Sequence, residues 1–167
     1  IMPYSLMDLE ELIKLLMSKG VDVEDVLLDA LSVKDPGESA NERIRLAEKY
    51  MNETRDYLSK GDAVQASEKA YKAAEEVIKA LAEKYSTPEY QEFLREGRWH
   101  TYLLGRASKT LSRKFGDWVL SGWSVAYDLH VWGFHEMKYG VDHVAAGMEV
   151  IGRMVKEARR IVLGSNE

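Results

Sequence analysis

The chain has no cysteine, which excludes disulfides and thiolate metal sites and leaves its redox compartment open. Its first residues, IMPYSLMDLEELIKLL, carry neither a basic leader nor a long uncharged run. Neither a signal peptide nor a membrane span is therefore expected, and the expected location is cytoplasmic. There is no P-loop, no G-x-G-x-x-G after a strand, no G-x-S-x-G elbow and no cysteine nucleophile, so the common phosphate-binding and acyl-transfer vocabularies are missing. No alternating strand of useful length, low-complexity tract or sequence repeat occurs either. The lack of repetition argues against a tetratricopeptide-like adaptor, although GDAVQASEKAYKAAEEVIKA has the turn and alanine spacing of one such unit.

What is present suits a soluble helical protein: 46% apolar and 31% charged residues in a chain of 167, enough for one well-buried core. The formal charge of −5 argues against a globally basic nucleic-acid binder but leaves room for a local patch. Many Glu, Lys and Arg without Cys would suit a thermophile.

Apolar periodicity is helical almost throughout. Leu6, Leu9, Ile13 and Leu16 space a first amphipathic helix that Gly20 stops, and Asp22 caps a second carrying Val23, Val26, Leu27, Ala30 and Leu31. Pro36 and Gly37 mark the clearest break. From Ser39 to Lys60, Ile44, Ala47, Met51, Thr54 and Leu58 step by three and four. After a Gly61-Asp62 turn, Ala63, Ala66, Ala70, Ala73, Val77 and Leu81 do the same. Alanines along a seam let two helix axes approach closely, which predicts a tight antiparallel hairpin. Thr87-Pro88 pairs a cap with a first-turn proline, starting a short helix that Gly97 ends. Helices are then expected over about 98–114, from Gly116-Asp117 to about 139 through Trp118, Trp123, Tyr127, Trp132 and Phe134, and from Val141 to Val162. The fold class is all-α, an up-and-down helical bundle in a single domain. An N-terminal helical hairpin occupies 1–35, and a bundle core at 38–163 ends in a C-terminal helix.

The run SKGDAVQASEKAYKAAEEVIKALAEKY and the later segment WSVAYDLHVWGFHE, an aromatic-rich helix carrying Leu-His, resemble the archaeal PaREP family, which is grouped with HEPN-like helical bundles. The similarity extends over about residues 6–162. It implies a four-helix HEPN-like core, dimerisation, and a family whose biochemical role is largely unassigned. HEPN relatives include RNA-cleaving toxins, partners of minimal nucleotidyltransferases and bundles of no known activity.

A HEPN ribonuclease presents an Arg, four to six residues, then a His, at the start of its last core helix. One literal match occurs, Arg95 to His100. There the His would take a 2′-hydroxyl proton while the Arg stabilised the phosphorane charge. The family geometry asks for that pair near residues 112–120, where no His stands, and His100 shares a register with Leu104 and Leu111, so a packed structural role is expected. Arg98, Tyr102, Arg106, Lys109 and Arg113 step along one helical face. Such a row can track a phosphate backbone and stack a base, or form a solvated face balanced by Glu75, Glu76 and Glu83 on a neighbour. His130 is expected to be buried among aromatics with one hydrogen bond. His130 and His135, five apart, are expected on different sides of a helix. A zinc site would need His143 folded back beside His135, so no metal and no cofactor is expected. Glu68, Glu75 and Glu76 are expected on the outer side of their helix, without the Glu-x-x-His pairs of a di-iron bundle. The leading expectation is a non-enzymatic homodimer that binds a protein partner through apolar surfaces such as the first two helices. The alternative is an RNA-binding protein or HEPN-type ribonuclease of a toxin–antitoxin pair, using the basic face.

Overall fold

A computed structural model describes residues 5–164, and among these every regular element is helical. The elements are α1 (Leu9–Ser18), α2 (Val23–Lys34), α3 (Pro36–Ser59), α4 (Ala63–Tyr85), α5 (Pro88–Glu96), α6 (Thr101–Phe115), α7 (Asp117–Asp128), a π-helical segment (Leu129–His135) and α8 (Val141–Leu163). The all-α expectation holds.

The centre is the antiparallel hairpin of α3 and α4. Gly61 takes a left-handed φ of +77°, and the Asp62 carboxylate accepts from the Gln65 backbone N–H at 3.0 Å, which starts α4. The seam is as small as the spacing predicts. Ala40 and Ala47 on α3 face Ala66, Ala70, Ala73 and Ala74 on α4, all fully buried. Larger side chains then fill the volume on either side of the hairpin, among them Ile44, Val77, Ile78 and Leu81.

α7 and α8 complete the core, α8 lying against α3, α4 and α7. Gly122 on α7 meets Met154 of α8 so closely that a Cβ there would stand 2.5 Å from its sulfur. α5 and α6 cover one flank through a smaller cluster of Ala82, Tyr90, Phe93 and Leu103. Thr87 caps α5 and Pro88 opens it, as expected. Asp35 is the single residue between α2 and α3, and its carboxylate accepts from the Glu38 N–H at the start of α3.

The N-terminal helices differ from each other. α2 lies along α3, while α1 touches only α2 appreciably and has no buried residue. Leu6 is 98% exposed, Leu9 73% and Met17 62%, with Leu12, Leu15, Leu16, Val26 and Leu27 also open to solvent.

The expected helix over 117–139 is corrected. It runs as α-helix only to Asp128 and then widens into the π segment, which the Glu136 N–H closes onto the Val131 carbonyl at 2.9 Å.

Candidate functional site

The basic stripe lies on the outer face of the molecule. Tyr102, Arg106, Lys109 and Arg113 point away from the buried Leu104, Ala107 and Leu111 of α6, and Arg98 is exposed in the loop before it. Arg106 pairs with Glu92 at 3.2 Å. Among the described residues, Arg98, Lys109 and Arg113 have no hydrogen bond or ion pair. Glu76 and Glu83 turn inward instead of balancing this face, so the expectation that they lie opposite the stripe or on an outer surface is corrected.

Arg95 lies in the last turn of α5, and His100 stands just before α6, its Nε2 2.9 Å from Glu96 and its ring stacked on Tyr102 at 5.3 Å. The Arg-x4-His match therefore straddles the Gly97 turn. His100 is half-exposed at the helix cap instead of packed on an apolar edge, because α6 begins one residue later.

The inward acids surround Arg43, a residue the sequence reading passed over. Its guanidinium is fully buried and meets Glu83 at 2.6 Å, Asp29 at 2.6 Å, Glu76 at 2.8 Å and Asp25 at 2.9 Å. Lys79 adds a second cation 2.8 Å from Asp25. Two buried cations thus face two buried carboxylates, Glu76 and Glu83, and two partly exposed ones, Asp25 and Asp29. Burial disfavours the negative surplus, so Glu76 is pushed well up and Glu83 up to about 7. Asp25 goes the other way: burial raises it, but Lys79 and Arg43 outweigh that and hold it well below the usual carboxylate range. Asp25 and Asp29 belong to α2, so the cluster pins α2 to the α3–α4 hairpin. Tyr50 Oη donating to Asp22 at 2.6 Å extends the clamp.

A second polar cluster sits on the π segment. His130 Nδ1 lies 2.8 Å from Glu68 Oε2 of α4, and His130 Nε2 lies 3.2 Å from His135 Nε2. This overturns the expectation that the two histidines point apart. In an α-helix, residues five apart are turned by about 140°. The i→i+5 pattern of a π-helix stacks them instead. The His130 ring is stacked on Tyr71 at 4.0 Å, with Phe134 on its other flank at 6.1 Å. The expected aromatic surroundings are present, but the ring is half-buried and has two polar partners. Burial, with Glu75 and Glu68 near, pushes the Tyr71 phenol up. Gly133 lets the segment approach α4, since a Cβ there would lie 2.2 Å from Ser67 Oγ. His143 stacks on Tyr139 at 3.8 Å. Among the described residues, no three His, Asp or Glu side chains converge as a metal centre.

Fold and surface together define a helical-bundle protein built on a close α3–α4 hairpin, and no described helix is long and apolar enough to cross a membrane. The chain belongs to the archaeal PaREP1/PaREP8 family, whose model matches residues 42–155. It is similar to a Sulfolobus solfataricus protein of known crystal structure, with 39% identity and a TM-score of 0.62, covering 70% of this chain and 95% of that one. A solution structure of the Orf c02003 protein is similar at 38% identity and a TM-score of 0.63, covering 72% of this chain and 93% of that one. No curated protein matches.

Proposed function

We propose that this protein works by association, forming a homodimer through the apolar face of α1 and using the assembled bundle to bind a protein partner. The observation that carries this reading is α1 itself, a helix of 10 residues whose leucines all remain in water. An exposed apolar surface of this extent marks an interaction site. A second copy fits it in charge as well as in shape. Asp8, Glu10 and Glu11 lie at the start of α1, and Lys14 and Lys19 at or beyond its later half, so an antiparallel pair sets acid against base at both ends. Such a pairing is isologous and closes on itself. α1 and α2 precede residue 42, where the family match begins.

The test is solution mass by light scattering for wild type and for Leu9→Glu with Leu16→Glu. The expected result is a dimer converted to a folded monomer. A monomeric wild type, or a dimer indifferent to both changes, would overturn the reading.

A second reading rests on the stripe. The three unpaired cations Arg98, Lys109 and Arg113, with Tyr102 55% exposed among them, support binding of single-stranded RNA. Retention of labelled RNA that weakens steeply with salt and is lost in Arg98→Ala/Arg113→Ala supports it. Cleavage lost in His100→Ala would extend it to a HEPN-type ribonuclease.

A further inference from the structure

We propose that His130 and His135 form a two-histidine site for a late first-row divalent cation of the Zn²⁺, Ni²⁺ or Cu²⁺ class, with Glu68 as its positioning residue.

The separation of the two nitrogens is the first argument. Imidazole nitrogens bind such metals at about 2.0–2.1 Å, so two sharing one ion stand about 2.9 Å apart at a right angle and about 3.3 Å apart at a tetrahedral one. The two Nε2 atoms stand 3.2 Å apart. An ion can enter with little movement of either ring.

The tautomer is the second argument. The Glu68 carboxylate accepts the Nδ1 proton of His130 at 2.8 Å, which leaves the Nε2 lone pair facing His135. A carboxylate behind a ligating imidazole fixes the ring and raises its basicity, which is the usual outer support of a metal-bound histidine. Without an ion, His135 donates its Nε2 proton across the gap. When an ion binds, neutral His135 carries its proton on Nδ1 instead, and both Nε2 lone pairs meet the metal without net proton release.

The third argument is rigidity. His130 is sandwiched by Tyr71, and the π segment that brings His135 beside it is seated on α4 by the Gly133–Ser67 contact. His135 is exposed, so an ion reaches the site from solvent and water fills its remaining positions. Imidazole ligands suit zinc, nickel and copper far better than magnesium or calcium. With two protein ligands the ion exchanges readily.

The experiment titrates the full chain with ZnCl₂ and with NiCl₂ by calorimetry. Copper-loaded protein is then examined by paramagnetic resonance for hyperfine coupling to two imidazole nitrogens. Wild type is expected to bind one equivalent. Glu68→Gln should weaken binding by about 10–100-fold, and His135→Ala by more. His135 is exposed, so its variant tests the site without disturbing the core, and circular dichroism confirms the fold. Absence of saturable binding in wild type would overturn the proposal. So would an affinity unchanged in His135→Ala, or a copper spectrum without two coupled nitrogens.

Discussion

α4 holds two basic side chains with its acids, and it treats them in opposite ways. Near its C-terminal half, Glu76 and Glu83 grip Arg43 in the interior, where buried Lys79 and the partly exposed Asp25 and Asp29 complete the assembly. Near its N-terminal half, Glu68 holds His130, whose other nitrogen faces an exposed partner. At Arg43 the guanidinium's donors are taken up within the chain. At His130 one coordinating position is shared with a residue that solvent can reach. A buried polar group whose bonds are all spent within the chain serves the fold, whereas one that shares a bond with an exposed side chain is available to a ligand.

The sharpest way to break the comparison is Arg43→Met. It strands several carboxylates in the interior and should destabilise the protein by about 3–5 kcal/mol, read by urea denaturation. A loss below about 1 kcal/mol would mean that the cluster is dispensable. Gly133→Ala acts on the other site through packing. Its Cβ runs into Ser67 and should cost about 1–3 kcal/mol, with Ser67→Gly added in the same chain restoring most of it.

Acidity separates the two sites in a further way. The Glu83 and Glu75 carboxyls of α4 are each pushed by burial to about 7 against an ordinary 4.5. The folded chain therefore keeps these protons more tightly than the unfolded one. Their contribution to stability is complete below pH 4.5 and disappears as pH rises through 7. Asp25, held low, contributes above its ordinary 3.8 and fails on further acidification. Melting temperature should accordingly be highest near pH 4–5 and decline toward pH 8, with Glu83→Gln flattening that decline. A melting temperature that climbs steadily from pH 5 to 8 would contradict the assigned directions. The smallest effect is expected from Glu68→Gln, whose hydrogen bond to the His130 ring should contribute about 1 kcal/mol or less to stability in the metal-free protein, since the amide oxygen can still accept from Nδ1.

Much of this architecture is legible in the sequence because it is local. Gly61, Asp62 and the alanines of α4 act within a turn or along one helix, and the hairpin forms where they place it. Arg43 was not legible because a charge beside Ile44 reads as solvent-facing until a third helix is known to cover it. Its signal was nevertheless there: Asp25 and Asp29 are four apart, and Glu76, Lys79 and Glu83 step by three and four, so acids and bases follow the same spacing as the seam. The histidine pair was hidden for a different reason. The aromatic stripe from Trp123 to Phe134 fits an ordinary helix, and nothing apolar marks where the ladder widens. Gly133 inside that run, together with the five-residue step between the histidines, was the available hint. Tyr102, Arg106, Lys109 and Arg113 share the outer face of α6 that their spacing gives, while Arg98 falls in the loop before it; the counter-charges expected on a neighbouring helix, Glu76 and Glu83, instead pair with Arg43 of α3 and Lys79 of α4.

The one-residue joint at Asp35 has a consequence for how two copies can meet. Exchange of arms between subunits needs a hinge with slack, and α2 has none: Asp35 already caps α3, while Asp25 and Asp29 are committed to Arg43. Swapping α2 would dissolve the ion cluster in both subunits before any new contact formed. α1, joined through the loop at Lys19–Asp22, carries no such commitment, so the pairing proposed for it would join subunits as intact folds that separate without unfolding.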